Sequence, residues 1–205
     1  MIKTVIFDIG NVLADFSWKP FFGNFGFSEE VQERLARATV KSPDWNEMDR
    51  GAWDTEKYIS DFIKNDPGIE QEIRRVFQNI SAIVSKREYA ITWIKHLKEA
   101  GYQVLYLSNF SEIARAQCQD ALSFMPYMDG GIMSFEVKMI KPDSDIYQAL
   151  IDKYALIPEE CVFVDDLWDN VQAAKALGFE GVHAVTHEAA LKGLAAFGVP
   201  PYINI

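Results

Sequence analysis

Of the residues that most often hold zinc or close disulfides, the 205-residue chain has little: two cysteines, Cys118 and Cys161, and three histidines. Two cysteines so far apart make neither a CxxC site nor a disulfide framework, so both are expected as core thiols. His96 falls on a helical stretch, His183 and His187 near a late strand. None is spaced with Asp or Cys as a triad or a zinc site, and all three read as packing residues. Positive charge is scarce too, with 20 Lys and Arg against 30 Asp and Glu and a net charge of -10. That balance argues against nucleic acid, whose affinity for proteins comes mainly from Lys and Arg contacts to phosphates. A single small phosphate is still compatible, because exposed charges beyond a Debye length of about 8 Å are largely screened. No apolar run approaches the roughly 18 residues of a membrane span. The N-terminus enters a strand with no signal-peptide pattern, so no membrane partner and a cytoplasmic location are expected. Repeats and low-complexity tracts are absent, and no feature bears on oligomeric state.

What is present is a 49% hydrophobic composition, ample for a core, and a set of apolar runs that end on polar residues. The run Thr4 to Phe7 stops at Asp8, with Gly10 and Asn11 able to turn the chain tightly. Gln103 to Leu107 stops at Ser108-Asn109, and Cys161 to Val164 at Asp165-Asp166. Shorter strands are expected at Gly130–Ser134 and near Gly181–Val185. Unalternating apolar strands suit a parallel sheet covered on both faces. Helical periodicity lies between them: Ala90, Trp93, Ile94 and Leu97 before Gly101, a helix from Ser111 or Glu112 through Leu122, Ile146 to Tyr154 after Pro142-Asp143, and a closing helix from Glu188 to Phe197. The expected fold is α/β, a doubly wound parallel sheet with a Rossmann-like core formed by residues 1–14 and 86–205.

Residues 15–85 read as a small helical cap inserted after the first strand. An aromatic patch from Phe16 to Phe27 leads to a helix capped by Ser28, with Val31, Leu35 and Ala38 on one face. Ser42-Pro43-Asp44 is read as a break and Trp45–Gly51 as a loop. Further helices are expected after Asp54 or Thr55 and from Ile69 to Ile80. The Trp45–Gly51 stretch is a candidate specificity element, with Trp18, Glu47 and Arg50 as substrate contacts, although Trp18 and Trp45 are equally suited to packing within the cap.

Ligands of open α/β sheets bind beyond the carboxyl ends of the strands, where Asp8, Ser108, Asn109, Asp165 and Asp166 gather and Lys141 precedes a helix. Asp8 alone could simply cap the following turn, and Asp169 and Asn170 suit a helix cap. Three crowded carboxylates, however, repel one another unless a hard divalent cation lies among them, and Mg²⁺ with oxygen ligands is the usual one. Lys141, Ser108 and a helix N-terminus then supply what a phosphate group needs.

These motifs resemble the haloacid dehalogenase superfamily of phosphatases over the whole chain: Asp8 as the motif I nucleophile, Ser108 in motif II, Lys141 in motif III and Asp165-Asp166 in motif IV. Phe7-Asp8-Ile9-Gly10-Asn11-Val12 and Asp165-Asp166-Leu167-Trp168-Asp169-Asn170 are similar to the subgroup that contains α-D-glucose-1-phosphate phosphatases. The resemblance implies a phosphoric monoester hydrolase for a small phosphorylated metabolite such as a sugar 1-phosphate. Asp8 would form an aspartyl-phosphate that water hydrolyses. Mg²⁺ would be held by Asp8, the Gly10 carbonyl and Asp166, with Asp165 acting through a water. Ser108 and Asn109 would bind phosphoryl oxygens, and Lys141 would neutralise charge. One departure stands out, since the family's general acid two residues after the nucleophile is here Gly10. Such a loss typically costs about 10² to 10⁴ in rate. It leaves three readings: a phosphatase for good leaving groups, a weakly catalytic ligand-binding protein, or a halide-releasing enzyme. Asp165 and Asp166 count against the last, because they would repel a carboxylate-bearing substrate.

Overall fold

The computed structural model describes residues 1–200. Residues 201–205, the end of the expected core segment, lie outside the described residues. Strands β1 (Thr4–Phe7), β4 (Gln103–Ser108), β5 (Gly130–Met133), β6 (Cys161–Asp165) and β7 (Glu180–His183) form one sheet, ordered β5-β4-β1-β6-β7. All four pairings are parallel, as the α/β reading requires. β1 is the centre. Thr4 to Phe7 pairs with Gln103 to Tyr106 on one side and with Cys161 to Val164 on the other, which sets Asp8, Ser108 and Asp165 at one edge.

Helices α6 (Ala90–Glu99), α7 (Glu112–Gln117), α8 (Ser134–Val137), α9 (Ser144–Tyr154), α10 (Trp168–Ala176) and α11 (His187–Ala196) accompany this sheet. Each face is sealed by apolar side chains. Phe7, Trp93, Val104 and Val164 lie in one buried cluster; Ile6, Leu105, Phe163, Ile146 and Tyr147 form the other. Both cysteines are buried, and burial pushes the Cys118 thiol up to about 11. Among the described residues no helix is long and apolar enough to cross a membrane.

Between β1 and α6 run helices α1 (Trp18–Gly23), α2 (Glu29–Ala38), α3 (Pro43–Arg50), α4 (Thr55–Asn65) and α5 (Glu70–Phe77). They pack through Phe62, Phe77 and Trp45, whose rings lie 5.2 to 6.4 Å apart. The segment joins the sheet layer through two short antiparallel strands, β2 (Ala14–Phe16) and β3 (Val84–Lys86), cross-linked by Arg87 to Asp15 at 2.6 Å.

Four local expectations need correcting. Pro43–Arg50 is a helix, not a break and a loop: Pro43 is pre-organised for the first helical turn, Asp44 suits its positive end, and Gly51 closes it in the left-handed conformation (φ 68°). The helix opening at Ser111 stops at Gln117 rather than running through Leu122, because the chain leaves helical geometry at Cys118. The strand expected to end at Ser134 ends at Met133, with Ser134 opening α8. The strand expected near Gly181–Val185 is Glu180–His183, its backbone leaving the ladder once Ala184 N–H has bonded the Asp165 carbonyl.

Candidate active site

Beyond the carboxyl ends of β1, β4 and β6 opens a cavity of about 310 Å³. Asp8, one residue past β1, is held by its own N–H bonding the Val164 carbonyl, and the residue is 7% exposed. Asp8, Asp165 and Asp166 each present an oxygen within 4.8 Å of the others. Lys141 enters from the loop before α9, fully enclosed. Its Nζ donates to Asp8 Oδ1 at 2.8 Å, Asp165 Oδ2 at 2.7 Å and the Leu107 carbonyl at 2.9 Å, which uses all three ammonium protons. The Lys141–Pro142 peptide is cis. Asn109 fixes this loop by donating to the Lys141 carbonyl at 2.9 Å and accepting from the Lys141 N–H at 2.8 Å. Ser108 is buried on the cavity wall, where Gly10 also lies.

The two motif IV carboxylates differ. Asp165 is fully buried and saturated: Oδ1 accepts from Leu167 N–H and Asn170 Nδ2, Oδ2 from Lys141 and Asn170. Asp166 is partly exposed and accepts only from Asn11 Nδ2, at 3.0 Å, among the described side chains. Asn11 can do this because it takes a left-handed conformation (φ 54°) that Asn tolerates, while its carbonyl oxygen accepts from Phe16 N–H.

Burial pushes the Asp8 carboxyl up to about 6; Lys141 draws it down and Asp165 adds to the rise. Asp166 is raised by burial, with Asn11 opposing. Burial would push Lys141 down, but Asp165 and Asp8 outweigh it and hold the ammonium above its ordinary range. A divalent cation among these carboxylates would relieve the same repulsion.

All the sequence-predicted residues, Asp8, Gly10, Ser108, Asn109, Lys141, Asp165 and Asp166, thus meet around one point. Trp18, Glu47 and Arg50 do not line the cavity. Trp18 packs on Phe22 under Lys41, while Arg50 faces Glu47 and Asp143 at 3.5 and 3.6 Å. The histidines pack: His183 Nε2 donates to the Asp166 carbonyl, and the His187 ring stacks on Tyr89 at 3.7 Å.

Asp49 was missed. It stands in the last turn of α3 and lines the cavity opposite the sheet, partly exposed to the cavity itself. Burial pushes its carboxyl up to about 8, the Asp8 charge adding and Lys141 opposing. Its backbone carbonyl accepts from Ser134 Oγ, but its carboxylate has no protein partner among the described residues. The signal that could have found it was α3 itself, since Trp45 and Asp49 are four apart and share a helix face.

A family model for haloacid dehalogenase-like hydrolases matches residues 2–178. The chain is 25% identical over 181 residues to the sesquiterpene phosphatase astK of Aspergillus oryzae, covering 88% of this chain and 89% of that protein. It is 26% identical over 195 residues to a D-ribitol-5-phosphate phosphatase of Bacteroides thetaiotaomicron, covering 88% and 90%. It is 25% identical to the mouse acyl-CoA dehydrogenase family member 10, but spans only 20% of that protein's length. Among solved structures, a HAD family enzyme of Bacteroides thetaiotaomicron in complex with magnesium and inorganic phosphate aligns with a TM-score of 0.68 at 21% identity, covering 88% of this chain and 93% of the other. With the family model spanning the sheet from β1 through α10, and with the acidic, lysine-bridged edge of that sheet in place, the chain belongs to the haloacid dehalogenase-like hydrolase family.

Proposed function

We propose that the protein is a Mg²⁺-dependent phosphatase of a small phosphate monoester, working through an aspartyl-phosphate on Asp8. The observation that carries this reading is Lys141 Nζ bridging Asp8 and Asp165 beside a trio of carboxylates whose oxygens lie within 4.8 Å of one another. An all-oxygen donor set of that compactness suits a small hard cation. The ion would be held by Asp8, the Gly10 carbonyl and Asp166, and when bound it supplies charge neutralisation that lets an anionic phosphate approach anionic Asp8.

The protein's own groups divide the remaining work. Asp8 attacks phosphorus as the P–O bond to the alcohol breaks, and water then cleaves the Asp8–phosphate bond. Lys141 holds Asp8 in one orientation and balances charge on the transferring group; positioning and electrostatics dominate such a transfer. Ser108 donates to a phosphoryl oxygen. Asn109, occupied twice with the Lys141 backbone, fixes the lysine loop and has one amide proton left for the phosphate. Asp165, whose oxygens already accept from Lys141, Asn170 and the Leu167 N–H, keeps Lys141 in place and would reach the ion only through a water. Helices α1 to α5, with β2 and β3 as the connection, serve as a cap over this edge. A phosphatase reading is supported by the phosphatases among the relatives and by the neighbour solved in complex with magnesium and inorganic phosphate.

Those relatives' alcohols run from a sesquiterpene to ribitol, so they leave the organic group open. Gly10 supplies no proton to the leaving oxygen, so either that oxygen is acidic, as in a sugar 1-phosphate, or another group donates the proton. The test is hydrolysis of p-nitrophenyl phosphate with and without Mg²⁺. Turnover that needs Mg²⁺ and disappears in Asp8→Asn is the expected result; a purified protein inert toward this ester at millimolar Mg²⁺ overturns the reading in favour of a ligand-binding role.

A further inference from the structure

The cavity has two chemically different ends. Its floor carries the charged groups already described. Its walls above them are Phe16 from β2, Trp45 from α3, Ile83 and Val84 at β3, and Phe110 and Ala114 beside and on α7. The polar side chains that also line it leave little for an alcohol, and Ser108 among them is committed to the phosphate. Asn11 bonds Asp166 and the Phe16 N–H and keeps one amide proton, Asn170 donates to both oxygens of Asp165, and Ser111 accepts from the Ala114 N–H to cap α7 and keeps its hydroxyl proton. Lys141 has no proton left, and Asn109 keeps a single amide proton at the phosphate end. On the cap side, Asp49 is the one charged side chain among the described lining residues, beside the single indole N–H of Trp45.

We infer from this partition that the substrate's organic group is apolar, so that the cavity takes the phosphate monoester of a hydrophobic alcohol. This rests on the phosphatase reading and adds the class of substrate to it. A hexose or pentitol would bring several hydroxyls into the space between Trp45, Phe16 and Phe110, more than the few free polar groups of the lining can meet, and each polar group stripped of water without a partner weakens binding. An alkyl or prenyl chain loses nothing there. It gains the burial of its methylenes against aromatic and branched aliphatic side chains, while the phosphate is held by the floor.

The inference is tested with the natural protein and Mg²⁺ on a homologous series of primary alkyl phosphates, butyl through octyl. Leaving-group acidity is constant across that series, and only apolar length changes. kcat/KM is expected to rise by about two- to fourfold per added methylene until the cavity is filled, full burial of one methylene corresponding to about fourfold. Glucose 6-phosphate and ribitol 5-phosphate, primary esters of similar size, are expected at least tenfold below hexyl phosphate. In Trp45→Ala the slope against chain length should flatten, a readout that partial loss of active protein does not alter. A series flat in chain length, or either polyol phosphate exceeding hexyl phosphate, overturns the inference. A slope unchanged in Trp45→Ala overturns the assignment of this wall to the alcohol. Absence of turnover on every ester, p-nitrophenyl phosphate included, would instead be the failure of the phosphatase reading.

Discussion

At the scale of single residues, Asp8 is a carboxylate kept at a cost, buried and beside Asp165, with Lys141 as its only compensating charge among the described residues. Asp8→Asn should therefore abolish hydrolysis while leaving the melting temperature unchanged or higher, because the amide retains the shape and sheds the charge; turnover retained in a clean preparation would remove Asp8 from the role. The motif IV pair separates by the same accounting. Asp166→Ala should weaken Mg²⁺ binding more than Asp165→Ala, since Asp166 accepts one hydrogen bond from a described side chain while both oxygens of Asp165 are engaged, and calorimetric titration of both variants decides it. Asp49→Asn is expected to slow alkyl phosphate hydrolysis by about 10² while affecting p-nitrophenyl phosphate much less, because Gly10 offers no proton and Asp49 is the carboxyl on the leaving-group side; equal losses on both esters would make Asp49 a structural residue. The first set of residues was legible because each ends an apolar run, a pattern that survives without coordinates. Asp49 was not, since its importance comes from burial and from the Asp8 charge, which only the folded chain creates.

Elements show the same division between local and tertiary information. Strands β1, β4 and β6 were readable from unbroken apolar runs, whereas β2 and β3 hold three residues each, too few for any periodicity to register. α3 was misread for a more instructive reason. Ser-Pro-Asp and a terminal Gly punctuate a helix at both ends as naturally as they interrupt a chain, and eight residues offered too little apolar repetition to choose. That helix carries Trp45 and Asp49, and the core fixes its end: Ser134 donates to the Asp49 carbonyl, and Lys138 Nζ to the Gly51 carbonyl. Gly51 permits the join. A Cβ there would lie 2.8 Å from Phe135 Cβ, and the backbone is left-handed, so Gly51→Ala must push α3 away from α8. The expected outcome is a loss of about 1 to 3 kcal/mol with a fall in kcat/KM larger than the fall in folded fraction. Thermal melting and steady-state kinetics on one preparation would show it, and a variant with lowered stability but unchanged kcat/KM would mean that α3 does not set the geometry of the site.

For the molecule as a whole, the carboxyls that make the site also set how its stability responds to pH and metal. Asp8, at about 6, and Asp49, at about 8, both lie above the 3.8 of an exposed aspartate, and Asp166 is shifted the same way. Between the unfolded and folded values the native state holds more protons than the unfolded chain, so stability must fall as pH rises through that window. The contribution of each group is fully present below about pH 4 and lost once pH passes its folded value. In EDTA the melting temperature should accordingly decline from pH 5 to pH 8.5, beyond the general effect of a net charge of -10. Mg²⁺ binds the ionised forms and competes with protons, so its stabilisation should grow over the same interval and oppose the decline. Asp49→Asn separates the groups. It removes the Asp49 share of the decline, which runs from about pH 4 to about pH 8, and leaves the Asp8 share, which ends near pH 6, so at pH 8 without metal the variant should melt higher than the natural protein even as it turns over alkyl phosphates more slowly. Differential scanning calorimetry at several pH values, with EDTA and with Mg²⁺, reads all of this. A melting temperature in EDTA that rises from pH 5 to pH 8.5 would mean that these carboxyls are ionised at no cost to the fold, and with that would go the case for a cation among them.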